Sequence, residues 1–284
     1  WINGLEWDWS ISRDRHFGIP IPVWTCEKCN EIILPKESEI PIDPLQIKKT
    51  CPNCKSHAMA ETKVLDTWAT SSLTPQIASS LVKNKIKIPY SIRPSAHDII
   101  RTWAFYTIVK SYFHENKIPW KEIAISGFVT LSGEKMSKSK GNVISPQKIM
   151  QNYGSDALRY WAATSKLGED MDYQEKDIIT GKKFITKIQN ATKFVFMNLK
   201  YQKKQPNLVE TDCLFLSQLN NLIKSATEAF EKYNYSKAKL EIDSFFWKTF
   251  ADNYLEIVKN RVYQGSQEEK ASAFYTLYNA LLTI

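Results

Sequence analysis

The sequence predicts an α/β layered domain, interrupted by a small cysteine-held insertion and followed by an all-α helical bundle. Three observations carry this. Between residues 58 and 175 short apolar runs alternate with helical patterns, which argues for a parallel sheet covered by helices. Four of the five cysteines fall into Cys26-x2-Cys29 and Cys51-x2-Cys54, the paired spacing of a four-thiolate metal site. Beyond about residue 175 the apolar residues recur at helical period.

In chain order, Gly18-Ile19-Pro20-Ile21-Pro22 reads as a turn and then an extended segment, because residues before proline avoid the helical region. The insertion, 26–57, carries two tight knuckles, CEKCN and CPNCK, that can each bring two sulfurs to one ion. A closed four-sulfur site leaves no open coordination position, so the expected zinc is structural and holds a loop that lacks a core of its own. Disulfides are the competing reading; a cytosolic setting and the unpaired fifth cysteine, Cys213, argue against them.

ETKVLDTW (61–68) reads as a short buried strand ending at Trp68, residues 76–85 as a helix, and PYSIRPS (89–95) as extended. DIIRTWAFYTIVKSYF (98–113) is apolar nearly all round, which predicts a buried helix. EIAISGFVT (122–130) is the clearest strand. SPQKIMQNYG follows as a helix with Ser145 as N-cap, Pro146 at its first position and Gly154 past its end. SDALRYWAAT repeats the design, capped by Ser155 or Asp156. The C-terminal part reads as an antiparallel bundle. One helix covers about 184–199. A loop at 200–212 leads to a second with the stripe Leu216, Leu219, Leu222, Ala226, Ala229 and Tyr233. IDSFFWKTFADNYLEIVKNRV (242–262) is a third, and a fourth begins near 270.

Hydrophobic residues make up 43% of the 284 positions and charged residues 24%, enough apolar material for a sizeable core. No apolar run approaches the roughly 20 residues of a spanning helix, and no signal peptide opens the chain. A cytoplasmic protein with no membrane partner is expected. The start at Trp1 and an end inside an unfinished helix, YTLYNALLTI, read as a piece of something longer. A net charge of +8 is compatible with a plain solvated surface, or with a polyanionic partner whose phosphates lysine and arginine neutralise.

Between the clearest strand and the next helix lies SGEKMSKSKGN (132–142), with three lysines and three serines, in a chain of only nine glycines. It is not a Walker A loop, since no second glycine stands at the required place. Ser137-x-x-Lys140 matches the acyl-serine motif of penicillin-binding enzymes, but the Ser-Asp-Asn and Lys-Thr-Gly partners are absent. The bland alternative is a solvated basic turn. The physical reading is a phosphate clamp. Ammonium groups are compact point charges, hydroxyls and loop N–H groups add donors, and the flanking glycines let the loop close. The C-terminal end of a parallel strand is also where α/β sheets bind nucleotides.

EKMSKSKGN resembles the Lys-Met-Ser-Lys-Ser motif of the class I aminoacyl-tRNA synthetases, matched five for five by Lys135, Met136, Ser137, Lys138 and Ser139, with Gly141 and Asn142 fitting as well. DWSISRDRHFGIPIPVW (8–24) is similar to the stretch that follows the editing insertion in the branched-aliphatic subgroup. VLDTWATSSLTP (64–75) and RPSAHDIIRTWAFYTI (93–108) look like the valyl type that carries a zinc ribbon; YGSDALRYWAA (153–163) and WKTFADNYLEIVKNR (247–261) agree. The resemblance covers nearly the whole chain.

It implies the second half of a Rossmann-type nucleotide fold at 1–25 and 58–175, a zinc-ribbon insertion at 26–57 held by Cys26, Cys29, Cys51 and Cys54, and a helical anticodon-binding domain at 176–284, cut short. The implied reaction activates valine with ATP and Mg²⁺ and transfers it to tRNA(Val), in a monomeric enzyme. Lys135 and Lys138 would stabilise charge developing on the phosphates. Gly127 and Val129, with Met136, Ser137 and Ser139, would complete the ATP site, Gly127 by letting the adenine approach. Trp68, Asp98 and Ile99 would form the amino-acid pocket, Asp98 pairing with the substrate ammonium; plain core packing is the bland account of Trp68 and Ile99. The family's first nucleotide motif, His-x-Gly-His, is absent: the histidines at 16, 57, 97 and 114 offer no such pair. That half of the fold and the editing domain would lie upstream, and the chain alone is expected to be inactive. An isoleucyl enzyme and a non-catalytic tRNA-binding paralogue remain as alternatives.

Overall fold

The computed structural model describes residues 2–5, 8–82, 86–198 and 204–284. The predicted helix at 76–85 and the loop at 200–212 fall partly outside these, as does Leu199. The chain forms two compact units, residues 1–124 and 125–284.

In the first unit, β1 (Ser12–Arg13) pairs antiparallel with a later strand, β6 (Val64–Leu65). Between them the insertion folds as a four-stranded antiparallel sheet: β2 (Trp24–Cys26), β3 (Ile32–Ile33), β4 (Lys49–Thr50) and β5 (His57–Ala60), in the order β3-β2-β5-β4. Its largest buried side chain is Trp24, fully enclosed, whose indole N–H donates to Ile47 O at 2.9 Å while the Lys49 ammonium lies over the ring.

The predicted strand through Trp68 stops at Leu65. Asp66, buried and ion-paired to Arg13 at 2.9 Å, turns its carboxylate to the Trp68 N–H at 2.8 Å and starts α1 (Thr67–Ser71). The N-cap bond satisfies a helix donor that a strand would have left to a neighbour, so Trp68 sits in a first helical turn. Next come α2 (Thr74–Leu81) and β7 (Tyr90–Ala96), the latter as expected.

The segment after β7 departs from the sequence expectation. A 3₁₀ turn (His97–Ile99) and a π-helical turn (Ile100–Ala104) precede α3 (Phe105–Glu115). The helix is not buried all round. Trp103, Thr107 and Ser111, four residues apart, form its packed stripe, while Tyr112 and Phe113 are 56% and 81% exposed. Small hydroxyl residues take the packed side because their hydroxyls bond inward, Thr107 to Trp103 O and Ser111 to Lys117 O. Apolar composition alone did not say which face would be covered. Trp103 stacks on Trp120, centroids 5.4 Å apart. Trp120 opens β8 (Trp120–Ser126), which pairs with β7; Tyr90 N donates to Pro119 O.

The clearest predicted strand is also broken. β8 ends at Ser126 and β9 (Val129–Leu131) begins after Gly127-Phe128. β9 makes an antiparallel hairpin with β10 (Glu134–Lys135) and pairs in parallel with β11 (Met171–Asp172). Between β10 and β11 stand α4 (Pro146–Tyr153) and α5 (Ser155–Ala162). Ser145 is the N-cap position of α4, as expected. The cap of α5 is Gly154, at φ 91°, rather than Ser155 or Asp156, so one glycine ends the first helix and starts the second. Asp156 instead pairs with Arg159.

The bundle follows with α6 (Glu175–Asn198) and α7 (Glu210–Glu231). The predicted third helix is α8 (Tyr235–Ser244) and α9 (Leu255–Gln264) joined by a π-helical stretch, Phe245–Tyr254. The fourth is α10 (Gln267–Thr283), with a Ser266/Glu269 capping box. Phe184, Val195, Phe215, Leu219, Phe246, Phe250, Val258 and Leu277 form its core. In the α7 stripe, Phe215 is buried where Leu216 is only partly so, and Tyr233 is 42% exposed. Asp212 is fully buried, clasped by both Arg261 nitrogens and by the hydroxyls of Tyr254 and Ser272. The bundle is tied to α5: Tyr160 OH donates to Asp243 at 2.5 Å, and the Ser165 and Tyr235 hydroxyls meet at 2.9 Å. Among the described residues no helix is long and apolar enough to cross a membrane.

Candidate functional site

The lysine segment is a braced hairpin. Ser132 and Gly133, both at positive φ, turn β9 into β10. The carboxylate of Asp172, on the neighbouring β11, accepts from Thr130 Oγ1 at 2.8 Å and from Gly133 N at 3.0 Å. The Gly133 N–H and then the Thr130 hydroxyl hold that carboxyl below its usual value, so it stays a charged anchor for the turn. On the far side Gly141, in the left-handed region at φ 67°, turns the chain so that Asn142 faces back. Its Oδ1 accepts from Ser137 N and its Nδ2 donates to Lys135 O. The Ser137 and Ser139 hydroxyls bond each other at 2.7 Å.

The three lysines have three different environments. Lys140 is paired with Glu134 at 3.1 Å. The Lys135 ammonium lies 3.7 Å from the centroid of the Phe128 ring. Lys138 is exposed, and among the described residues its ammonium has no ion-pair or hydrogen-bond partner. Met136 and Ser137 are half-buried and Val129 is 40% exposed. The expected cationic segment therefore presents one free ammonium and one held on a ring, while the third is neutralised.

Gly127 lies close against protein backbone. A Cβ there would stand 2.2 Å from Glu169 O and 2.6 Å from Asp170 Oδ1. The missing side chain makes room for the strap 169–170. Asp170 uses this closeness: its Oδ1 accepts from Phe128 N at 2.7 Å. Sequence reading assigned nothing to Phe128, Asp170 or Asp172. The signal was there in EDMDY (169–173), where two carboxylates two apart share one face of an extended segment.

The residues expected around the amino acid lie in the first unit. Trp68 and Ile99 are half-buried and pack against one small core of Trp103, Ala104 and Trp120; Asp98 is exposed in the 3₁₀ turn after β7. Core packing therefore accounts for part of the surface of Trp68 and Ile99.

The four cysteines come together. Cys26 and Cys54 sulfurs are 3.3 Å apart, those of Cys29 and Cys51 3.6 Å, and all four lie within 4.8 Å of one another. These are not disulfide distances, and all five cysteines are free. Four sulfurs about 2.3 Å from a tetrahedral zinc would stand roughly 3.8 Å apart, so the donor set fits that ion. The two knuckles share a design. Asn30 N donates to Cys26 O and Lys55 N to Cys51 O, with Asn30 and Lys55 both at positive φ. Two of the thiols are shifted in opposite directions. The Ser56 hydroxyl and N–H draw Cys54 down to about 6. Cys29, although the Glu31 N–H pulls it down, is pushed up to about 12 by its contacts with Cys26 and Cys54. A divalent cation at the centre would remove that conflict.

Residues 1–174 match the family model for tRNA synthetases class I (I, L, M and V). The chain belongs to this family. Residues 212–284 of this class I synthetase chain match the anticodon-binding domain of tRNA ligase. It is similar to the valine–tRNA ligase of Ehrlichia ruminantium (strain Gardel), at 46% identity over 296 residues, covering 100% of this chain and 36% of the relative. It is also similar to that of Archaeoglobus fulgidus, at 44% identity over 289 residues, covering 99% and 33%. The class I synthetase chain thus spans about a third of the length of these relatives. Among solved structures it resembles the agnB2 LeuRS of Agrobacterium radiobacter in a ternary complex with tRNA and LeuAMS. The TM-score is 0.72 and the identity 22%, covering 97% of this chain and 39% of that one. That likeness carries the fold alone: a Rossmann-like part followed by a helical region.

Proposed function

We propose that this chain is the C-terminal part of a valine–tRNA ligase, carrying one half of an ATP site and the start of a tRNA-binding bundle. The observation that carries the reading is the braced hairpin, with Lys138 free and Lys135 held on a ring at the end of the β8–β9 path. Family membership and relatives named as valine–tRNA ligases support it. The whole enzyme would join valine to the α-phosphate of ATP, releasing pyrophosphate, and then pass the valyl group to the 3′ end of tRNA(Val). Relatives of the isoleucyl type would differ in pocket width alone.

Lys135 and Lys138 would meet charge that builds on the leaving pyrophosphate, where a fixed cation counts most in the transition state. Ser137, Ser139 and the backbone around Met136 would donate to phosphate oxygens, and Gly127 and Val129 would flank the adenine. Mg²⁺ would neutralise charge on the phosphates of ATP; no residue of this chain is assigned to hold it. Trp68 and Ile99 would wall the valine side chain and Asp98 would receive its ammonium. Cys26, Cys29, Cys51 and Cys54 would hold a structural zinc that fixes the 26–57 ribbon. Residues 1–25 and 58–175 would form the catalytic half and 176–284 the anticodon-binding domain of a cytoplasmic, monomeric enzyme.

Pyrophosphate exchange by the whole protein, with valine and isoleucine compared, tests this. Valine-dependent exchange that falls at least about tenfold in Lys138→Ala is expected, since one fixed donor to developing charge is worth a factor of this size or more. Faster exchange with isoleucine, or no exchange with either, overturns it.

A further inference from the structure

We propose that Phe128 is a positioning residue for Lys135: its ring holds the ammonium where it meets the phosphates. This rests on the role just given to Lys135. The ring centroid and the Lys135 Nζ are 3.7 Å apart, well inside the range of a cation–π contact. The hairpin register makes the pairing natural. Lys135 stands opposite Thr130, and Phe128, two residues before Thr130, is its diagonal neighbour on one face, within reach of a long side chain.

The backbone is pinned at both ends of the contact. Asp170 Oδ1 accepts from Phe128 N at 2.7 Å, and the strap at Glu169 fills the space over Gly127. Asn142 Nδ2 donates to Lys135 O at 3.3 Å. Neither backbone can shift without breaking one of these, so the contact itself has only side-chain torsions left to fix.

The choice of a ring has a chemical reason. Lys140 is steadied by Glu134, and a carboxylate that steadies a lysine also cancels the charge it shows to an anion. An aromatic face restrains the ammonium without itself adding a counter-charge. The restraint also removes rotamer freedom that a free lysine would lose on engaging the substrate.

A double-mutant cycle in the whole protein tests this, read by pyrophosphate exchange with valine. Phe128→Leu should lower kcat about two- to fivefold, the worth of an exposed cation–π contact, with KM for valine unchanged. Phe128→Trp, which keeps a ring face, should restore the rate. In a Lys135→Ala background Phe128→Leu should add nothing. An equal loss from Phe128→Leu in both backgrounds, or a Trp variant as slow as the Leu variant, overturns the proposal. Should Lys135→Ala itself leave the rate unchanged, the role assigned to Lys135 fails first, and this inference with it.

Discussion

Asn142 reaches back five residues to accept the Ser137 N–H at 2.7 Å while giving its own amide to Lys135 O. One side chain thereby closes the lysine segment on itself. A hydrogen bond of this kind is worth about 1 kcal/mol. Asn142→Ala should lower the rate of valine-dependent pyrophosphate exchange about threefold to tenfold with little change in unfolding temperature. Asn142→Asp keeps the acceptor and loses the donor, and should fall between. A wild-type rate for Asn142→Ala would show that the clasp is not used.

Gly127→Ala sets a methyl group against backbone at Glu169, 2.2 Å away, and backbone cannot turn aside as a flexible side chain does. Overpacking of this sort costs about 1–3 kcal/mol, so the variant should unfold at lower denaturant and lose exchange activity together. Gly133→Ala meets no atom within 4 Å and strains only its φ of 78°; its loss should be smaller. The reverse order of the two would sink this account.

Asp212 lies fully buried between Arg261, Tyr254 and Ser272. Removing one partner strands the other charge, which costs about 3–5 kcal/mol, so Asp212→Ala should be much less stable in urea than Asp212→Ala/Arg261→Met. Burial alone would push this carboxyl up, but the Arg261 fork and the two hydroxyls hold it below its ordinary value near 3.8. Its contribution is complete above that value and is lost as pH falls through the depressed folded value. Acid unfolding of the wild type should show this step below about pH 4, and the double variant should lack it.

Metal analysis should find one zinc per chain. Stripping it with a chelator should expose the amides of residues 24–60 to hydrogen exchange and leave the bundle protected, because the ribbon has little core beyond Trp24. A metal-free preparation with oxidised cysteines and an ordered ribbon would refute the assignment.

The sequence was most legible where one residue type has one job. The knuckles, the Ser145-Pro146 helix start and the five-residue lysine motif could be placed without coordinates, since spacing and backbone preference decide them. What it hid was choice between neighbours. Asp66 could pair in a strand or cap a helix, and Arg13 beside it made the cap. The apolar run after Asp98 offered several faces, and hydroxyls at Thr107 and Ser111 selected the covered one. Gly127 announced a close approach without saying of what. Asp170 and Asp172 act through residues about 40 positions away, and the local pattern of two carboxylates two apart does not say which residues those are.

Tyr160 and Ser165, on and just beyond α5, hold Asp243 and Tyr235 of α8 by their hydroxyls, and the hairpin lies in the same compact unit. Two hydroxyl contacts thus fasten α8 to the end of the helix that Gly154 starts, so the bundle and the segment after the lysines share one attachment.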